Sequence, residues 1–200
     1  MTDNSVVNIV FHGDELIALT ESVKNVRVCP DTLDTLDLGQ CNVSKFVAVN
    51  TSTAHPHWER SGTVYNVGSQ FGRRCEYKII KFPTSSSTQP MHRSAEILAS
   101  IPATDGSQPA YYHSFAMTEN YFVFIEQSMY WNVKKMMTFH FTEAPPAECL
   151  DYDPTTEVVF HVIEKATGSR HPITFKSRGF ACFHQVGAYE RNGHIVLDLS

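Results

Sequence analysis

Three histidines, His55, His113 and His184, hold the same place in three copies of one small unit. Neutral imidazole is a good ligand for first-row transition metals, so a metal centre is the first chemistry to consider. Each unit runs from the histidine to a Gly or Asn turn seven to nine residues on, and then into an apolar strand. The copies are His55-PHWERS-Gly62-TVYNVG, His113-SFAMTE-Asn120-YFVFIE and His184-QVGAYERN-Gly193-HIVLDL. Three converging imidazoles without a neighbouring Cys or carboxylate would make an all-nitrogen site, suited by geometry to Zn2+ or Fe2+. A lone histidine at a strand end is ordinarily a satisfied polar residue, and only the shared register favours the metal reading. His57 follows His55 by two residues, but Pro56 fixes the local backbone and His55 is the one in register. His12, His92, His140, His161, His171 and His194 lack the register and are read as ordinary residues.

One carboxylate stands out. Alternation through ELIALTE places Ile17, Leu19 and Glu21 on one face, so Glu21 sits either at the solvent rim or buried with a partner. The spacing leaves both readings open. Nucleotide and hydrolase motifs are missing: there is no G-x-G-x-x-G, Walker loop, G-x-S-x-G or H-E-x-x-H. The aromatic residues at 111, 112, 115, 121, 122 and 124 could line a tunnel for an apolar ligand, although such a stretch is more often core.

The elements that must position these residues read as strands. Short β-rich runs recur at 6–11, 15–20, 46–49, 63–68, 77–82, 96–101, 121–126, 158–165 and 195–199. Turn signals separate many of them: Gly13-Asp14, Ser61-Gly62, Asp105-Gly106, Thr167-Gly168 and Asn192-Gly193. Helical periodicity is weak, with a short turn near Trp131–Met137 as its best candidate. Val7, followed by Gly13 and ELIALT, repeats the layout with valine in the histidine's place. The units then start at 7, 55, 113 and 184, at intervals of 48, 58 and 71 residues. Those lengths suit four-stranded propeller blades with variable outer loops. The fold class predicted is all-β, a partial β-propeller of about four blades, with residues 1–200 forming one partial domain of a larger protein. Residues 83–93 and 141–157 read as surface loops.

Composition narrows the partners. Sixteen basic against twenty-one acidic residues give a net charge of −5, and no basic run interleaves with aromatics, which argues against nucleic acid. The first residues lack a signal-peptide pattern, and no apolar run approaches the roughly 20 residues of a membrane helix. Five scattered cysteines without a C-x-x-C favour reduced thiols and a cytoplasmic protein, and sequons at Asn42 and Asn50 are read as chance. Peripheral membrane contact through segments outside this sequence stays open.

TSTAHPHWERSGTVYNVGSQFG, YYHSFAMTENYFVFIEQ, FHVIEKATG and FACFHQVGAYERNG, with TES and PDTLDTLD upstream, resemble the carotenoid cleavage oxygenase family. The likeness is to its animal branch of β-carotene oxygenases and a retinoid isomerohydrolase, and it runs from about Val7 to Leu199. It implies a seven-bladed propeller with axial Fe2+ held by four histidines. Three of these correspond to His55, His113 and His184, with the fourth beyond Ser200. It also implies that Glu21 orients His113 and that Thr20 lines the iron's open face. The implied reaction is cleavage of a conjugated double bond of a carotenoid by O2, giving two carbonyl fragments. Gln127 and Gln185 match the oxygenases rather than the isomerohydrolase, whereas Ser128 and Gly187 depart from the usual oxygenase residues. Retinyl ester isomerohydrolysis and non-catalytic carriage of an apolar ligand are the alternatives.

Overall fold

The computed structural model of the chain describes residues 5, 7–83, 91–142 and 146–200. Most of the predicted loop at 83–93, and three residues of the one at 141–157, lie outside them. The chain divides into two compact units, one holding residues up to Gln70 together with Tyr77–Ser100, the other Phe71–Glu76 and Ile101–Ser200. Both are built of antiparallel sheet.

The first unit opens with a four-stranded meander: β1 (Asn8–His12), β2 (Glu15–Leu19), β3 (Lys24–Val28) and β4 (Thr35–Asn42), paired in chain order. The β1–β2 hairpin turns at Gly13-Asp14, where Gly13 has φ 58°, a conformation glycine adopts without a steric penalty. A second sheet follows in the order β5 (Thr51–Ser52), β7 (Val64–Gln70), β8 (Glu76–Phe82) and β9 (Glu96–Pro102), with β6 (His57–Trp58) also paired to β7. Ile17, Leu19, Val23, Val47, Val49, Val64, Ile80 and Phe82 pack as one buried cluster shared by the two sheets. The predicted strand at 46–49 is not one. Asn42 caps a 3-10 turn by accepting from the Ser44 amide, and the amides of Phe46 and Val47 donate to the Val43 carbonyl. Val47 and Val49 are buried from irregular backbone, which mimics the alternation of a strand.

The second unit carries a sheet in the order β10 (Ala116–Met117), β11 (Tyr121–Glu126), β14 (Val158–Glu164) and β15 (Phe175–Ser177). Between β11 and β14 lie β12 (Met129–Trp131), α1 (Val133–Thr142) and β13 (Leu150–Tyr152), with β12 and β13 paired. A hairpin of β16 (Gln185–Arg191) and β17 (His194–Leu199) ends the chain. Asn192 and Gly193, both at positive φ, make its two-residue turn. The helix α1 exceeds the short turn expected at 131–137. Asn132 starts it by accepting from the Lys135 amide, while Asp151 receives both the Asn132 side-chain amide and Lys135. A cap followed by a tail without a clean apolar face was easy to miss. The expected loop at 141–157 likewise contains β13.

All four copies of the repeated unit become the same local structure. Val7, His55, His113 and His184 each stand just before a strand (β1, β6, β10 and β16) that hairpins through the turn into the apolar strand (β2, β7, β11 and β17).

Candidate metal centre

In the second unit, His113 and His184 meet. Their rings lie edge to face at a centroid separation of 4.7 Å, and their ligand nitrogens lie within 4.8 Å of each other. His113 is half-buried and His184 exposed, so the pair has one open side. Phe183 packs on the edge of His113 with ring centroids 5.7 Å apart. The Tyr111 hydroxyl is 3.3 Å from Nδ1 of His113. Backbone pairing fixes His184: its amide donates to the Ser200 carbonyl at 3.1 Å, and the Ser200 amide donates back to its carbonyl at 2.9 Å. Two imidazoles facing a common space fit a divalent first-row metal, and the donor set matches iron, cobalt or zinc.

His55 lies in the first unit, half-buried at the end of a fixed stretch of backbone. Its amide donates to the Thr53 hydroxyl, the Thr53 amide to the Val67 carbonyl, and the Asn66 side chain to the Thr53 carbonyl. Asn8 donates to the Ala54 carbonyl at 2.8 Å. His57 belongs to β6, opposite Tyr65. Thr20 and Glu21 are half-buried in the link from β2 to β3, beside Ser22, which bridges to Thr51. The carboxylate is therefore neither in open solvent nor enclosed.

Of the six aromatics considered as a tunnel, Tyr111, Tyr112, Phe115, Phe122 and Phe124 are buried. Tyr112 and Phe124 pack edge to face at 5.1 Å, and Phe115 meets Phe122 at 6.3 Å. They form core. Tyr121 instead lines a groove of about 770 Å3 with Phe160, Ile195 and Leu197.

Sequence reasoning missed an ionisable cluster in the same unit. His161, 1% exposed on β14, shares a 2.8 Å hydrogen bond with Glu126 at the end of β11. Glu126 also accepts from the amide and hydroxyl of Thr104, at 2.8 and 2.6 Å. Burial pushes the Glu126 carboxyl up, but the hydrogen bonds from His161 and Thr104 outweigh it and hold the group below its ordinary range. The only clue in the sequence was two polar residues inside strands otherwise apolar. Gln127 and Ser114 are also buried, next to the segments that carry the paired histidines.

The model of the RPE65 family, described as retinal pigment epithelial membrane protein, matches residues 1–200. A β,β-carotene 15,15'-dioxygenase of Gallus gallus is 35% identical over 99% of this chain and 38% of its own length. A mitochondrial carotenoid-cleaving dioxygenase of Homo sapiens is 37% identical over all of this chain and 34% of its own. Among solved structures, cobalt-substituted apocarotenoid oxygenase of Synechocystis superposes with a TM-score of 0.72 at 21% identity, over 98% of this chain and 39% of that one. The chain thus spans between a third and two fifths of the relatives it matches. By class it is an all-β protein with the fold of part of a β-propeller, carrying a histidine cluster suited to metal. It belongs to the RPE65 family, which also holds the carotenoid dioxygenases.

Proposed function

We propose that the complete protein is a non-haem Fe2+ oxygenase that cleaves a conjugated double bond of a carotenoid with O2, and that His55, His113 and His184 are three of its metal ligands. The observation that carries this reading is the edge-to-face pair of His113 and His184, in a chain that matches a family of carotenoid dioxygenases along its whole length. His55 is assigned as the third ligand because it occupies the same place before its hairpin as the other two. Glu21 is assigned as the acceptor that orients His113, and Thr20 as a residue beside the open face. Both units of the 200-residue chain are read as parts of one larger oxygenase domain, with a fourth histidine and further orienting carboxylates supplied outside this sequence.

When bound, ferrous iron would supply activation of O2 next to the polyene. The chain's own residues set the frame for it. Neutral imidazoles leave the metal cationic, and a hydrogen-bond acceptor on the far nitrogen holds each ring in one tautomer. Phe183 packs against the His113 ring with centroids 5.7 Å apart. The substrate is an apolar carotenoid together with O2, and nucleic acid has no place in this reading. Five free cysteines support a cytoplasmic location, and among the described residues no helix is long and apolar enough to cross a membrane. Peripheral contact with a membrane that delivers the carotenoid is compatible with both.

Incubation of the complete protein with Fe2+ and O2, with β-carotene in one vessel and a retinyl ester in another, tests the reaction. Loss of the carotenoid with two carbonyl products is expected. Turnover of the ester alone would replace the oxygenase reading with the isomerohydrolase, and binding of carotenoid without turnover would replace it with a carrier.

A further inference from the structure

The paired histidines sit on two segments far apart in sequence, and two buried side chains tie those segments together. The Gln127 side chain donates through Nε2 to the Tyr111 carbonyl at 2.8 Å, and its Oε1 accepts from the Cys182 amide at 2.7 Å. Tyr111 lies two residues before His113, and Cys182 lies two residues before His184. Ser114, the residue after His113, completes the link by bonding to both neighbours of His184. Its hydroxyl donates to the Phe183 carbonyl at 3.0 Å and accepts from the Gln185 amide at 2.8 Å, and the Gln185 side chain donates to the Ser114 carbonyl at 3.1 Å. Gln127 is 4% and Ser114 5% exposed, so both bridges are shielded from competing water.

We infer that Gln127 and Ser114 are positioning residues that set the spacing and orientation of His113 and His184, as a two-point clamp between the segments that carry them. The inference rests on the metal-centre reading only for its consequence. Neither side chain touches a histidine ring. Each bonds to backbone one or two residues away, which fixes where the ring is launched from. Gln127 is suited to this because its amide carries a donor and an acceptor on one rigid plane. A backbone carbonyl and a backbone amide can then be held at once by one residue. A side chain without both a donor and an acceptor could not span the same pair, so the residue at this position sets how firmly the two segments are coupled.

The test compares wild type with Gln127→Met, which keeps the volume and loses both bonds, and with Ser114→Ala, in the complete protein. Co2+ is the probe, because its ligand-field absorption reports the geometry of the imidazole set. Each variant is expected to bind Co2+ about 10-fold more weakly, as the loss of two buried hydrogen bonds implies, with shifted ligand-field bands. Measurements are made well below each variant's thermal midpoint, so that unfolding contributes nothing. Wild-type affinity and wild-type bands in both variants would overturn the clamp while leaving the metal centre standing. Should wild type itself take up no Co2+, the metal-centre reading falls, and the clamp is judged on metal-free protein by amide hydrogen exchange. Faster exchange at 111–114 and 182–185 in Gln127→Met then supports it, and unchanged exchange overturns it.

Discussion

Glu126 and His161 show what a single buried pair does to this chain. The carboxylate is stabilised by three hydrogen bonds against the cost of burial, so its proton leaves more easily in the folded state than in the unfolded chain. A group whose folded pKa is depressed contributes stability above its unfolded pKa and loses that contribution as the pH falls through the folded value. Acid unfolding is therefore expected to steepen just below the ordinary glutamate range. Glu126→Gln should flatten that dependence and cost about 2 kcal/mol at neutral pH, because an amide cannot accept all three bonds. Urea denaturation of the two proteins between pH 3 and 7 measures both effects, and parallel pH profiles would contradict the assignment. The metal-ligand candidates were legible at this scale because three histidines shared a register. Glu126 and His161 were not, because pairing across β11 and β14 depends on strand register that no local pattern reveals.

At the scale of elements, the repeated unit was the part of the fold most open to sequence reading. Gly13, Gly62, Gly168 and Gly193 all take positive φ, as the turn signals at those places required. The apolar runs at 121–126 and 158–165 became β11 and β14 almost residue for residue. Strands such as β3, with KNVRV, or β15, with FKS, carried too few apolar residues to be seen, and β15 is exposed along its whole length. Gly68 is a different case: it lies inside β7, where β5 approaches closely. A Cβ there would come within 2.7 Å of the Thr51 carbonyl oxygen and 2.8 Å of Val49 Cγ1. Gly68→Ala is expected to destabilise the first unit by about 2 kcal/mol, read as a lower thermal midpoint, because overpacking against backbone has little room to relax. A midpoint equal to wild type would mean that β5 can move aside.

For the molecule as a whole, the family match and the sheet edges point the same way. Ile9 and Phe11, on the edge strand β1, are 55% and 60% exposed, and Val186 in the terminal hairpin is 70% exposed. Apolar side chains on unpaired strand edges are sites of intermolecular pairing. The isolated 200-residue chain is therefore expected to aggregate and to bind iron weakly, and a soluble monomer with tight stoichiometric Fe2+ in size-exclusion and metal analysis would contradict this. The expectation of about four blades came from the spacing of the repeats, but the proposed iron and its proposed orienting carboxylate came only through the family likeness, since imidazoles alone do not choose between zinc and iron. Anaerobic titration of Fe2+ into the complete protein, and into its His55→Ala, His113→Ala and His184→Ala variants, tests the proposed site most directly. One tightly held Fe2+ per chain, weakened on the order of 100-fold or more by each substitution, is the predicted result. Wild-type Fe2+ affinity in any of the three variants would remove that histidine from the site and contradict the three-imidazole centre.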